Sequence, residues 1–221
     1  YSHLNIGGRL DYQHKTHLDG EILTLSYMLA ATRPHTIFRQ MYNNMVNFPV
    51  NYTSYDQNTR ERFTEHTFQI DYVRPFGKHH KIESGTKYIL RYNNSTSLMD
   101  YQGTTPDMES KFKHNAQVAA AYLSYIFTAG KWAARAGLRY EFTRMKASYP
   151  DGSNADYHAN LNDWVPSASL QYKISDGQTL KLSYSTSINR PGIGYLNPAV
   201  ISTPTTESFG NANLGSSRNQ K

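Results

Sequence analysis

The sequence predicts an all-β fold, an antiparallel up-and-down meander of about eight strands that forms part of a transmembrane β-barrel. Three observations carry that expectation: residues alternate with a period of two between apolar and polar positions, turn signals separate the alternating runs, and short connections alternate with long polar ones. The clearest stretch is Lys131 to Asn189. Trp132, Ala134, Ala136, Leu138, Tyr140 and Phe142 stand against Ala133, Arg135, Gly137, Arg139, Glu141 and Thr143, so one face is apolar and the other charged. The alternation returns as Trp164, Pro166, Ala168, Leu170, Tyr172 and Ile174, and again as Leu180, Leu182, Tyr184, Thr186 and Ile188, with Asp176-Gly177 between them as a hairpin signal.

Taken in order, the expected strands cover about 4–13, 21–30, 62–74, 81–92, 111–127, 131–145, 162–174 and 179–189, with 190–221 as a polar tail. In the first, Leu4, Ile6, Gly8, Leu10 and Tyr12 share a face. Asp19-Gly20 turns the chain into the second, which aligns Leu23, Leu25, Tyr27 and Leu29. From Arg33 to about Arg60 the alternation dissolves, which predicts a long polar loop, with Thr36 to Tyr42 either carrying the second strand further or forming a short extra one. Phe68, Ile70 and Tyr72 define the third strand, a turn containing Gly77 follows, and Ile82, Tyr88, Leu90 and Tyr92 define the fourth. Asn93 to Ser110 again has the composition of a loop. The fifth strand is apolar on both faces around Ala116 to Ala121, which points either to a bulge or to something packed on its inner face. Thr128-Ala129-Gly130 is the next expected turn.

Short and long connections alternate along this scheme, as in an outer-membrane barrel with tight periplasmic turns and long outer loops. The strands reach or exceed the roughly 9 to 11 residues that a bilayer requires of a tilted strand. Hydrocarbon gives backbone groups no hydrogen-bond partner, so strands cross it only in a closed sheet. Eight strands close as a small barrel or form one arc of a larger one. Mean hydropathy is −0.68 and no apolar run is long enough for a spanning helix, which leaves a strand-built crossing open.

The chain of 221 residues has 18 Tyr and 13% aromatic residues, a content suited to strands and interfacial girdles. It has no Cys, which excludes disulfides, thiolate metal sites and cysteine nucleophiles. The formal charge of +6 and the pI near 9.3 suit an anionic partner such as lipid headgroups or lipopolysaccharide. Lys and Arg are spread singly along strands, which argues against nucleic acid. The start at Tyr1 has neither the charged lead nor the apolar core of a signal peptide, so the chain is expected to be mature or to begin inside a longer one.

The segment Tyr184-Ser-Thr-Ser-Ile-Asn-Arg-Pro191, followed by Tyr195-Leu-Asn-Pro198 and Phe209-Gly-Asn-Ala-Asn-Leu214, resembles the barrel region of TonB-dependent receptors of Gram-negative outer membranes. In that family a strand ending in Arg-Pro leads into a Leu-Asn-Pro loop and a Gly-Asn-Pro-Asn-Leu motif; here Ala212 replaces the proline and no Lys-Pro-Glu follows Leu214. The resemblance implies a barrel of about 22 strands with a plug domain, energised through TonB. It implies uptake of a large nutrient such as a ferric chelate, a glycan or a peptide, with outer-membrane lipid, the rest of the barrel and the plug as partners. No plug, TonB-contacting segment or closing strand is recognisable, so the chain reads as a central fragment. The alternatives are a self-contained small outer-membrane barrel for anchoring or adhesion and a soluble β-sandwich that binds carbohydrate.

No catalytic constellation, cofactor motif or metal site is expected. His79-His80 and the pair His14 and His17 fall at turns, Ser183, Ser185 and Ser187 line one strand face, and no Gly-x-Ser-x-Gly elbow is present. The ligand-binding candidates are Arg135 and Arg139 on the polar strand face, which would line a lumen, and Tyr42, Tyr52 and Tyr55 in the Asn- and Tyr-rich loop at 41–55. A second polar loop runs from Asp151 to Asn160. Tyr and Asn side chains stack on and hydrogen-bond to a glycan or an iron chelate.

Overall fold

The computed structural model describes residues 1–43, 45–47, 50–196, 201–202, 207–211 and 213–221. Among these residues the architecture is one nine-stranded antiparallel sheet with a separate two-stranded pairing in the chain's last part. The long strands are β1 (Ser2–Lys15), β2 (Ile22–Met41), β3 (Tyr52–Phe76), β4 (His80–Gly103), β5 (Met108–Ala129), β6 (Trp132–Ser148), β7 (Tyr157–Ser175) and β8 (Gln178–Asn189). A turn of helix, α1 (Ile193–Leu196), and a two-stranded pairing of β9 (Ile201–Ser202) with β10 (Glu207–Ser208) follow, and β11 (Ser217–Gln220) returns to β8 with Ser217 opposite Asn189. Each strand from β1 to β8 pairs with the next, the meander that the alternation predicts. The described sheet does not close: β1 and β11 are its edges.

The tight rim is made by residues 16–21, 77–79, 130–131 and 176–177, and Gly20, Gly77 and Gly130 there adopt positive φ of 78°, 67° and 55°, which side chains resist. Thr128 and Ala129, expected in the third of these turns, still belong to β5. The opposite rim differs from expectation. Most of the polar stretches 33–60 and 93–110 is strand and not loop: β2, β3, β4 and β5 run for 20, 25, 24 and 22 residues, β2 reaches Met41 before β3 begins at Tyr52, and the β4–β5 connection shrinks to 104–107. The tail also departs from a plain loop, since it returns to the sheet as β11.

Pairing registers carry one face across the whole sheet. Tyr12 faces Leu25, Leu25 faces Ile70, Ile70 faces Thr86, Thr86 faces Ala121, Ala121 faces Tyr140 and Tyr140 faces Trp164. This is the apolar face, and it is bare: Trp132, Leu138, Leu170, Leu182 and Tyr184 are all exposed, and Tyr140 is half-buried. In a sandwich these side chains would lie between two sheets. Their exposure on a single sheet excludes that reading and suits hydrocarbon contact.

Two aromatic tiers bound this surface. Near the tight rim the Trp132 and Tyr172 rings lie 4.4 Å apart, and further along β6 and β7 the Tyr140 and Trp164 rings lie 4.7 Å apart. Between the tiers stand Ala134, Ala136 and Leu138 on β6 and Pro166, Ala168 and Leu170 on β7. Eight residues of strand separate Trp132 from Tyr140, about 26 Å along the strand at roughly 3.3 Å per residue and about 20 Å in height for a tilt of about 40°, a little less than the apolar band of roughly 25 Å between interfacial girdles.

The ambiguity at β5 also resolves. Its pairing with β4 and β6 is regular, and its inner face is covered: Leu196 of α1, fully buried, packs on Ala116 and Met145, with Tyr157, Ala159 and Leu161 around it. The chain after β8 folds back over the inner wall, which is why the middle of β5 is apolar on both sides.

Candidate functional site

The pleat that turns Trp132 and Leu138 outward turns the alternate residues inward, and there it builds a wall of paired charges. Arg135 Nη2 lies 2.8 Å from Glu83 Oε2 on β4, and Lys81 Nζ lies 2.9 Å from the same carboxylate. Arg91 Nε donates to Glu65 Oε2 at 2.5 Å across β3 and β4. Asp71 accepts from Gln69 Nε2 and from the Tyr122 hydroxyl, both at 2.7 Å. Arg9 pairs with Asp11 at 2.8 Å on β1. Arg139 pairs with Glu141 while about half of its side chain stays exposed, as does that of Arg135. Water screens these half-exposed pairs, so they add little to stability, yet they present cation and carboxylate to whatever occupies the space inside.

One ionic cluster is different because it is buried. Arg190, the first residue after β8, donates through Nη2 to Glu141 Oε2 at 2.5 Å and through Nε to Asp163 Oδ2 at 3.2 Å. Asp163 keeps 2% of its side-chain surface and Glu141 8%, and Ser216 Oγ, just before β11, adds a bond of 2.9 Å to Asp163. Pro191 cannot donate to a ladder, so β8 stops there and the chain turns inward with Arg190 as its anchor. The Arg-Pro of the recognised motif is thus a clamp joining β6, β7, the β8 exit and the β11 entry. Further on, Asn211 N–H donates to Tyr195 O at 2.7 Å, and its side chain accepts from Asn213 N–H at 3.0 Å. Asn197 and Pro198 of the motif, and Ala212, lie outside the described residues.

At the far end of the wall the strands carry an aromatic cluster. The Tyr52 ring lies 4.7 Å from Tyr101, 5.9 Å from Tyr42 and 6.1 Å from Tyr55, and Tyr55 lies 5.8 Å from Tyr101. A register shift between Tyr52 and Ser54 makes this possible, because one extra residue moves Tyr52 onto the face that Tyr55 already occupies. Gly103 opposite is required by the same bulge: a Cβ there would lie 2.2 Å from Asn51 O and 2.6 Å from the Tyr52 Cα. Tyr52 is buried by its neighbours, and burial, with Tyr42 and Tyr101 adding to it, pushes its hydroxyl up to about 12. Burial raises the hydroxyls of Tyr55 and Tyr101 as well, so these rings present neutral hydroxyls and π-faces.

The sequence-predicted residues fall into two groups. Arg135 and Arg139 face the inner wall on β6, and Tyr42, Tyr52 and Tyr55 gather at the outer end, though Tyr52 and Tyr55 stand on β3 and not in a loop. The groups are separated along the strands and do not meet in one pocket. Tyr101, Arg190 and Asp163 were not among the predicted residues. Tyr101 was hidden in a stretch with the composition of a loop. Arg190 did carry a signal, the strand-ending Arg-Pro, but nothing in its spacing shows which carboxylates receive it. At the tight rim the expected solvated histidines have partners, His79 Nδ1 with Thr128 O at 2.8 Å and His80 Nδ1 with the Tyr125 hydroxyl at 2.6 Å.

Residues 14–220 match the outer membrane protein β-barrel family. The fold is similar to that of the siderophore receptor PiuA from Acinetobacter baumannii, with 16% identity, a TM-score of 0.66, and coverage of 99% of this chain and 36% of that one. It is similar to the ferric yersiniabactin uptake receptor FyuA from Yersinia pestis, with 12% identity, a TM-score of 0.66, and coverage of 98% and 31%. The ferric citrate transporter FecA in its unliganded form aligns at 13% identity with a TM-score of 0.64, covering 83% of this chain and 27% of that one. The chain thus spans about a third of the length of these structures. No curated protein matches it.

Proposed function

The chain belongs to the outer membrane protein β-barrel family of the Gram-negative outer membrane, and from that premise we propose that it is one arc of a TonB-dependent receptor that takes up a large nutrient. The observation that carries this reading is the opposition of two faces over one sheet, a bare apolar band bounded by Trp132 and Trp164 and a wall of ion pairs behind it. Such a wall suits a wide, wet lumen. The open edges β1 and β11 support an arc over a small self-contained barrel, and the likeness to receptors for ferric citrate, a siderophore and ferric yersiniabactin favours a ferric chelate among the nutrient classes.

In this proposal Tyr42, Tyr52, Tyr55 and Tyr101 hold the ligand at the outer mouth by stacking and hydroxyl hydrogen bonds, and Arg135 and Arg139 guide an anionic chelate along the inner wall. Plug and TonB act from the parts of the receptor beyond this arc. The test is uptake by cells expressing the full-length receptor with Tyr55→Ala and Tyr101→Ala together. Retained surface expression with a tenfold or greater loss of uptake of ferric chelates is expected if each ring contributes about 1 kcal/mol or more. Loss confined to an oligosaccharide or a peptide moves the ligand class, and unchanged uptake of all three overturns the site.

A further inference from the structure

We propose that the outward face of β2 and β3 carries a binding site for the phosphate groups of an outer-leaflet glycolipid. It lies just beyond the apolar band on the loop side. The outward positions along β3 read Tyr72, Ile70, Phe68, then His66 and Thr64, then Arg62 and Arg60; along β2 they read Leu23, Leu25, Tyr27, Leu29, Ala31, then Arg33 and His35. Apolar residues give way to cations at the same height on both strands. That is the level at which hydrocarbon gives way to headgroups.

The cations are placed against one another. His35 stands directly opposite Arg60, and Arg33 and Arg62 occupy the positions between that rung and the rung of Thr32 with Phe63. Arg33 and Arg62 thus bring two guanidinium charges together across the strands, and like charges so placed destabilise a sheet. Among the described residues no carboxylate forms an ion pair with Arg33, Arg60 or Arg62, whereas Arg39 on the same face is neutralised by Asp56 at 2.5 Å. All three arginines are exposed, and with His35, Asn94 and Thr96 they border a recess of about 460 Å³. Glu61 touches that recess from the opposite face of the pleat, where it stands across from Ser95. A planar guanidinium fork matches a phosphate in bidentate geometry, and three of them above an acyl-contacting surface match a phosphorylated sugar whose chains run down over Tyr27, Phe68 and Tyr88. A protein partner would need apolar anchors among the cations. The recess offers only Pro34 of that kind, beside Asn94 and Thr96, which are hydrogen-bonding groups suited to sugar hydroxyls.

This inference uses the membrane orientation of the proposed receptor and nothing about its nutrient, so the two fail separately. The experiment is native mass spectrometry of the full-length receptor in detergent with three probes: bisphosphorylated lipid A, its dephosphorylated counterpart and inorganic phosphate. Arg33→Gln, Arg60→Gln and Arg62→Gln together are expected to weaken the phosphorylated lipid about tenfold or more and to leave the dephosphorylated one unchanged. Lys78→Gln, at the opposite rim, is expected to have no effect, and replacing the three arginines by lysine restores part of the loss. Binding within twofold of the parent, or equal binding of the dephosphorylated lipid, overturns the site. Inorganic phosphate held as tightly as the lipid also overturns it, as an anion site without lipid specificity. If the triple variant lacks the heat-modifiable migration of a folded barrel, Arg62→Gln alone carries the comparison, with a loss of about threefold expected.

Discussion

Arg190 illustrates how one side chain decides the stability of its surroundings. Two carboxylates, Glu141 and Asp163, are almost removed from water and share it. Arg190→Ala leaves Asp163 buried without a counter-ion and Glu141 with Arg139 alone, and is expected to cost about 3–5 kcal/mol. Denaturant unfolding of the full-length receptor measures this, and adding Asp163→Asn is expected to recover most of it, because the harm lies in the orphaned charge. At the outer rim, Asp151 accepts hydrogen bonds from the Lys111 N–H, the Ser153 N–H and the Ser153 hydroxyl, which depress its carboxyl to about 2. A depressed carboxyl stabilises the fold above its unfolded value near 4 and loses that effect as pH falls to about 2. The β6–β7 connection is therefore expected to loosen over that interval. Exchange of the Lys111 amide, compared at each pH with Asp151→Asn, checks this: the variant should be loose throughout.

At the scale of the element, the strap formed by α1 is held by Leu196. Leu196→Ala removes the side chain that covers Ala116 and Met145, and a local loss of about 2–3 kcal/mol is expected. Hydrogen exchange at 116–118 should rise while exchange in β1 and β2 stays unchanged. The strands themselves show what a sequence reveals. Where the sheet meets hydrocarbon on one side and water on the other, as from Trp132 to Phe142, the alternation is plain and the strands are found where they are expected. Above the membrane both faces of β3 and β4 meet water, so Asn93, Ser95, Ser97 and Met99 differ little in character from Asn94, Thr96 and Leu98, and these strands have the composition of loops. The period-two signal reports a difference between two solvents and vanishes where the solvents agree. The candidate site was affected in the same way: Tyr42, Tyr52 and Tyr55 were legible as an aromatic cluster, but Tyr101 joins them only through the pairing of β3 with β4, and the bulge at 52–54 leaves no mark in composition.

For the whole molecule, the two aromatic tiers fix its position in a bilayer. Both tryptophans of this chain, Trp132 and Trp164, are exposed on the same face, one in each tier. In a receptor whose other tryptophans are replaced, each is expected to be quenched strongly by lipids brominated near the headgroup and weakly by lipids brominated at the chain ends; the opposite order would place the band elsewhere. The open sheet makes a second demand. Every residue of β1 is exposed, and its free edge presents a row of unpaired backbone groups. Residues 1–221 produced alone are expected to self-associate in detergent, with light scattering reporting masses above the monomer. The complete receptor, with its edges joined, is expected to run as one copy.

The unusual length of β2, β3, β4 and β5 has a consequence for how the cell surface is arranged. From Phe68 to Tyr52 the chain climbs sixteen residues, roughly 40 Å of vertical height for a strand tilted by about 40°. That stiff parapet carries the tyrosines through the zone of surface sugars to open medium, so a passing solute meets a fixed perch there before it reaches the throat.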